Sequence, residues 1–131
     1  MIAFLKYQKL TLGWALFVLV MCNIKMGEVS HSPMFFAGFD KLVHCGFFFT
    51  LTTLAINGTI RQKGNLSFAD AVKVFVIAIA FGALIEILQK YFFTWRSGEW
   101  DDLFADSIGT GMATFCSLIV VTALSKHNEK N

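Results

Sequence analysis

At 131 residues the chain has room for one domain. It is 56% hydrophobic and 15% charged, against about 45–50% and 25% in soluble domains, so it lacks the polar residues to cover a soluble core. A formal net charge of +2 without a basic-aromatic patch excludes a nucleic-acid binder, and composition instead points to an integral membrane protein.

The first apolar run, 10–24, follows Lys6 and Lys9 and precedes Lys25. At about 15 residues it is short of the ~20 a spanning helix needs. Tyr7 and Gln8 extend it, and the flanking lysines can snorkel to the interface. A signal peptide has the same basic start and apolar middle, but no A-x-A site follows, and Met21 before Cys22 makes a poor lipoprotein cleavage site. An uncleaved transmembrane helix over about 7–25 is expected. Residues 26–39, with Ser30, His31, Ser32 and the single Pro33, read as a loop. Phe35, Phe36 and Phe39 in it suit a membrane interface or the bundle itself.

The second helix is expected at about 41–57, closed by the turn signal Asn57-Gly58, with a polar connection over 59–67. The third, about 69–93, has Asp70 and Lys73 near its start and Glu86 and Gln89 in its second half. A tight link over 94–101 carries Trp95 and Trp100, residues of the aromatic belt. The fourth, about 102–124, is broken only by Asp106 and small or hydroxyl residues, and the polar tail over 125–131 is expected to fray. Cys22, Cys45 and Cys116 all lie in apolar runs and read as buried small hydrophobes, with no disulfide framework and no zinc spacing. The expected fold is an all-α, integral membrane four-helix bundle. Lys6, Lys9, Arg61, Lys63, Lys73, Lys126 and Lys130 outnumber Lys25, Lys41, Lys90 and Arg96, which puts both termini in the cytoplasm.

Charges inside such helices are costly, roughly 2.5–3.5 kcal/mol for an Asp, Lys or Arg at the centre, and mark function or pairing. Gly82, Glu86, Gln89 and Phe93 fall on one face of the third helix, and Asp102, Asp106, Gly109 and Ala113 repeat that spacing on the fourth. Ala105, Gly109 and Ala113 make a small-residue ridge that lets backbones approach closely. On the second helix Lys41, His44 and Phe48 share a face, with Asp40 beside Lys41. Convergence of these faces would make an outward-facing polar pocket from Asp40, Lys41, His44, Glu86, Gln89, Arg96, Asp102 and Asp106. Within it Glu86, Asp102 and Asp106 form the acidic core and can share a proton. Lys41 and Arg96 would contact an anion, and His44 would relay a proton or orient a partner. Glu86, His44 and Asp102 are the candidate catalytic residues. Bland roles compete with these. Lys90, Glu99 and Asp101 read as ordinary interfacial residues, Gln89 can simply bond across helices, and the dipole of the fourth helix accounts for Asp102. Glu86 is the residue such roles explain least. There is no HExxH or comparable metal spacing, no nucleophile elbow and no phosphate-binding loop, so no metal and no cofactor is expected.

These pieces, Asp40-Lys41-Leu42-x-His44, Glu86-x-x-Gln89, Arg96 and Asp102-x-x-x-Asp106-x-x-Gly109, resemble the VanZ-like family of small bacterial membrane proteins over roughly residues 40–113. The resemblance implies one VanZ-like domain over 1–131 and a role at the cell envelope. The founding member is associated with low-level resistance to the glycopeptide teicoplanin, by a mechanism that is not established. The family usually carries Asn where Asp106 stands, so this chain adds an acidic group. The expected function is recognition of an envelope component such as a lipid-linked cell-wall precursor, with membrane lipid and a second copy of the chain as further partners. Two alternatives stand beside it: a membrane hydrolase or transferase on a lipid-linked substrate, and a subunit of a proton- or ion-coupled transporter.

Overall fold

The computed structural model describes residues 1–24, 38–93 and 99–130. Four helices account for nearly all of them: α1 (Ile2–Asn23), α2 (Phe39–Lys63), α3 (Phe68–Tyr91) and α4 (Trp100–Glu129). There is no strand among the described residues, and each helix is long and apolar enough to cross a membrane. The all-helical architecture is as expected, while the helix ends differ in two instructive places.

Asn57-Gly58 does not stop α2. Gly58 is buried inside the helix, and a methyl group there would lie 2.6 Å from Gln8 Nε2. The glycine is thus a seat for a side chain of α1. Gln8 itself is buried; it donates to the Ala55 carbonyl at 3.1 Å and its Oε1 accepts from the Thr11 hydroxyl at 2.7 Å. A side chain expected only to lengthen α1 therefore fastens it to α2. The stop comes at Gly64, whose φ of 82° suits the left-handed cap and whose N–H donates to the Ile60 carbonyl at 2.7 Å. Ser67 then opens α3, its hydroxyl accepting from the Asp70 N–H at 3.1 Å and donating to the Asp70 carboxylate at 2.8 Å. At the other end, the polar stretch expected to fray continues α4 through Glu129. It contains no Gly or Pro, and Lys126 and His127 lie in the last turn, where the helix dipole favours positive charge.

α2 and α3 each pack against all the other helices, whereas α1 and α4 lie on opposite flanks and do not touch among the described residues. The α2–α4 interface is the most extensive. Its closeness follows from the small-residue ridge: Ala105, Gly109 and Ala113 are all buried. A methyl group on Gly109 would lie 2.1 Å from the Cys45 carbonyl oxygen, so only glycine permits this approach. Val18, Cys22, Phe48, Leu51 and Ile85 form the main apolar core, with Trp14 packed against it and donating to the Phe47 carbonyl at 3.0 Å. Ile56, Leu66 and Ala71 form a second core towards the α2–α3 connection.

The outer surface is apolar. Leu16, Phe17, Val76, Ile77, Phe104 and Phe115 are all exposed, in the company of many similar residues, far beyond the patches a soluble monomer tolerates. Cys116 belongs to this surface and Cys45 is half-buried, so of the three cysteines expected inside only Cys22 is fully buried. Between α1, α2 and α3 lies a cavity of about 570 Å³, lined by Leu12, Leu51, Val74, Ile77 and Phe81, with Lys63 and Asp70 at one edge.

Candidate functional site

The end of the bundle where α1 and α3 finish and α2 and α4 begin gathers the polar side chains. His44 lies one turn into α2 and Asp106 one turn beyond Asp102 on α4, and the Gly109 contact draws these two helices together beside them. The result is a hydrogen bond of 3.0 Å between His44 Nδ1 and Asp106 Oδ1. On the other side of the ring, Nε2 lies 3.8 Å from Asp102 Oδ2 and 4.0 Å from Cys22 Sγ. An ionised Asp106 accepts from Nδ1–H and so leaves Nε2 as the basic nitrogen, facing a thiol and a second carboxylate.

Glu86 enters from α3. Its Oε2 accepts from the backbone N–H of Glu99 at 2.8 Å, immediately before α4. Helix N-termini present unsatisfied amides and a partial positive charge, and Glu86 supplies the acceptor from a neighbouring helix. The dipole that explains Glu86 is thus that of α4, not of its own helix. Its Oε1 has no hydrogen-bond partner among the described residues, and the same holds for Asp106 Oδ2. One ligand atom from each of His44, Glu86 and Asp106 lies within 4.8 Å of the other two.

Gln89, one turn on from Glu86, is fully buried and donates from Nε2 to the Cys22 carbonyl at 2.7 Å, which ties α3 to the last turn of α1. Lys41 stands at the rim. Expected to contact an anion, its ammonium is instead held by carboxylates: Glu99 at 3.1 Å, Asp102 at 3.4 Å and Asp40 at 4.0 Å. With those partners it neutralises Asp102 rather than offering a free positive charge. Asp40 is more than half exposed and lies outside the buried cluster. Arg96 falls outside the described residues.

No family model, curated protein or solved structure matches the chain. The site therefore stands on its own geometry.

That geometry brings together His44, Glu86, Gln89, Asp102 and Asp106, all buried, from three helices, with Lys41 bridging above them. It also recruits residues that sequence reasoning passed over. Glu99, assigned to the interface, both pairs with Lys41 and donates its N–H to Glu86. Cys22, assigned to the core, faces the imidazole through sulfur and Gln89 through its carbonyl. Thr110 is fully buried one turn below Asp106, and its four-residue spacing from Asp106 was a signal available in the sequence. Nothing in the spacing of α1 singles out Cys22. Chemically, an imidazole clamped by one carboxylate and faced by another can take up and pass on a proton. With Glu86 beside it, the cluster can also surround a cationic group.

Proposed function

We propose that this chain is a multi-pass protein of the bacterial inner membrane, VanZ-like in kind, with both termini cytoplasmic. Its acid–imidazole cluster would face outward and bind a component of the cell envelope such as a lipid-linked cell-wall precursor. The supporting observation is the convergence of His44, Glu86, Asp102 and Asp106 from three helices at one end of an otherwise apolar bundle. Buried carboxylates and imidazoles in transmembrane segments are functional sites by default, because bare packing is achieved more cheaply with apolar side chains. The balance of charge specifies the ligand further. With Lys41 already committed to Asp102 and Glu99, the cluster is complementary to an ammonium or other cationic group rather than to a bare phosphate. The test is thermal stabilisation of the purified protein by lipid-linked precursors that carry or lack a free amine. Stabilisation confined to the amine-bearing ones is expected, and equal or absent shifts contradict the reading.

A second reading, a membrane hydrolase or transferase, draws on one specific observation: His44 lies between Asp106 at Nδ1 and Cys22 at Nε2, the order of a base and its orienting carboxylate beside a thiol. Turnover of a lipid-linked substrate that is abolished by Cys22→Ser would establish it, and a substrate bound but never turned over would remove it.

A further inference from the structure

Two carboxylate clusters lie side by side at this end of the bundle, and they differ in what balances their charge. Asp40, Glu99 and Asp102 surround the Lys41 ammonium, which lies within 4.0 Å of each, so that cluster already holds its cation. Glu86 and Asp106 are paired with no Lys or Arg among the described residues, although they are 5% and 0% exposed. His44 can balance only one of these two carboxylates, and burying the other without a counter-charge is strongly unfavourable. Each also retains one buried oxygen, Glu86 Oε1 and Asp106 Oδ2, with no hydrogen-bond partner there.

We propose that His44, Glu86 and Asp106 form a binding site for one divalent first-row transition-metal ion, zinc or manganese by its donor set. The proposal rests on taking this cluster as the working site of the protein, and it names what the cluster holds. One imidazole nitrogen and two carboxylate oxygens suit either ion, which then supplies the positive charge the cluster calls for, and three protein ligands leave a coordination position open for an unprotonated ligand amine, a hydroxyl or water. The donor atoms lie within 4.8 Å of one another and would draw together by roughly 1 Å to form bonds of about 2.0–2.2 Å.

The surroundings are those of a supported ligand set. The Glu99 N–H holds Glu86 Oε2 at 2.8 Å and so leaves Oε1 free to coordinate. Gly82 provides the space beside the free oxygen of Asp106, because a methyl group there would lie 2.9 Å from Oδ2. Coordination through His44 Nδ1 turns Nε2–H towards Asp102 Oδ2, 3.8 Å away, the carboxylate–imidazole–metal order that fixes ring orientation in metal sites. The ion takes the place of the proton held between His44 and Asp106: from the neutral ring that proton moves to Nε2 with no net release, from the imidazolium it leaves to solvent while Nε2–H stays, and no oxidation state changes. A linear motif could not have announced the site, since its donors come from α2, α3 and α4.

The experiment uses the full chain, purified in mild detergent through a tag without histidines, stripped with chelator, loaded separately with Zn²⁺ or Mn²⁺, and desalted before metal counting. About one equivalent of one of these ions is expected to remain, with a rise in thermal midpoint on loading. Glu86→Gln and Asp106→Asn, which keep the side-chain size, should weaken binding more than about 100-fold, beyond the roughly 10–100-fold typical of supporting residues. Cys116→Ser should leave it unchanged, and helical circular dichroism verifies folding of every variant. Retention of neither ion overturns the proposal, and so does equal retention by wild type, Glu86→Gln and Asp106→Asn. The result also separates the metal from the envelope role. A metal-free wild type whose precursor binding needs Glu86 removes only the metal, whereas a metal-loaded protein that binds no precursor removes only the envelope ligand.

Discussion

Replacing Gly109 with alanine should separate α2 from α4 and dismantle the His44–Asp106 pair in one step. The added methyl would lie 2.1 Å from the Cys45 carbonyl oxygen, 2.9 Å from its carbon and 3.1 Å from Cys45 Cα. These are backbone atoms, so no side-chain rotation relieves the clash. A close carbon–oxygen contact sits at about 3.3–3.6 Å, so the helices must part by roughly 1 Å. Cys45 adjoins His44, and Asp106 lies one turn from Gly109, so the same displacement stretches a hydrogen bond now at 3.0 Å beyond its useful range. Overpacking costs about 1–3 kcal/mol, against the roughly 1 kcal/mol that alanine gains over glycine in a helix, for a net loss of about 0–2 kcal/mol and a deficit of about 1–3 kcal/mol relative to an unclashed Gly→Ala. Gly111→Ala is the matched control two residues away, because its methyl would meet only Phe75, at an ordinary 3.8 Å. Reversible unfolding in mixed micelles, followed by circular dichroism, gives both values. Gly109→Ala as stable as Gly111→Ala would refute the close-approach argument and with it the reason His44 and Asp106 meet.

Gly58→Ala should lose less than Gly109→Ala, because its methyl meets the movable Gln8 amide rather than backbone, and Gln8→Ala in the same protein should turn the change into a gain of up to about 1 kcal/mol. The same unfolding assay reads the cycle, and strict additivity would contradict the contact. Ser67→Ala should cost about 1 kcal/mol through loss of the α3 cap, while Ser67→Asp retains most of the stability. Lys41→Ala should destabilise wild type more than it destabilises Asp102→Asn, since the lysine's main buried partner is gone in the latter. Equal losses would show that Lys41 is a bystander. Gln89→Leu should loosen α1 from α3 and raise maleimide labelling of Cys22 in a Cys45→Ser, Cys116→Ser background, and unchanged labelling would count against the Gln89–Cys22 tie.

Much of the site was legible from helical spacing alone. The faces Gly82–Glu86–Gln89, Asp102–Asp106–Gly109–Ala113 and Lys41–His44–Phe48 each turn towards the interior, because a strong apolar background makes any polar face conspicuous and the 3.6-residue period fixes which residues share it. What spacing could not supply was pairing between helices. It left Lys41 as an anion contact, whereas the fold surrounds it with carboxylates. It set Glu86 apart as unexplained, whereas the amide it accepts from belongs to the start of α4. Glycine was the least readable residue. Asn57-Gly58 carries the signature of a turn, yet Gly58 serves as a packing seat within a continuous helix, and that use depends on Gln8, some fifty positions away. The extension of α4 to Glu129 shows the converse, a polar stretch that stays helical because nothing in it stops the helix.

The most direct test of the central claim is complementation. Cells lacking the protein receive wild type, Glu86→Ala or Cys116→Ala, each measured for abundance in the membrane fraction, and are challenged with glycopeptides and other agents that act on cell-wall precursors. Wild type and Cys116→Ala should restore tolerance, while Glu86→Ala, present at the same abundance, should leave the cells as sensitive as those lacking the protein. Full restoration by a normally inserted Glu86→Ala would contradict the account.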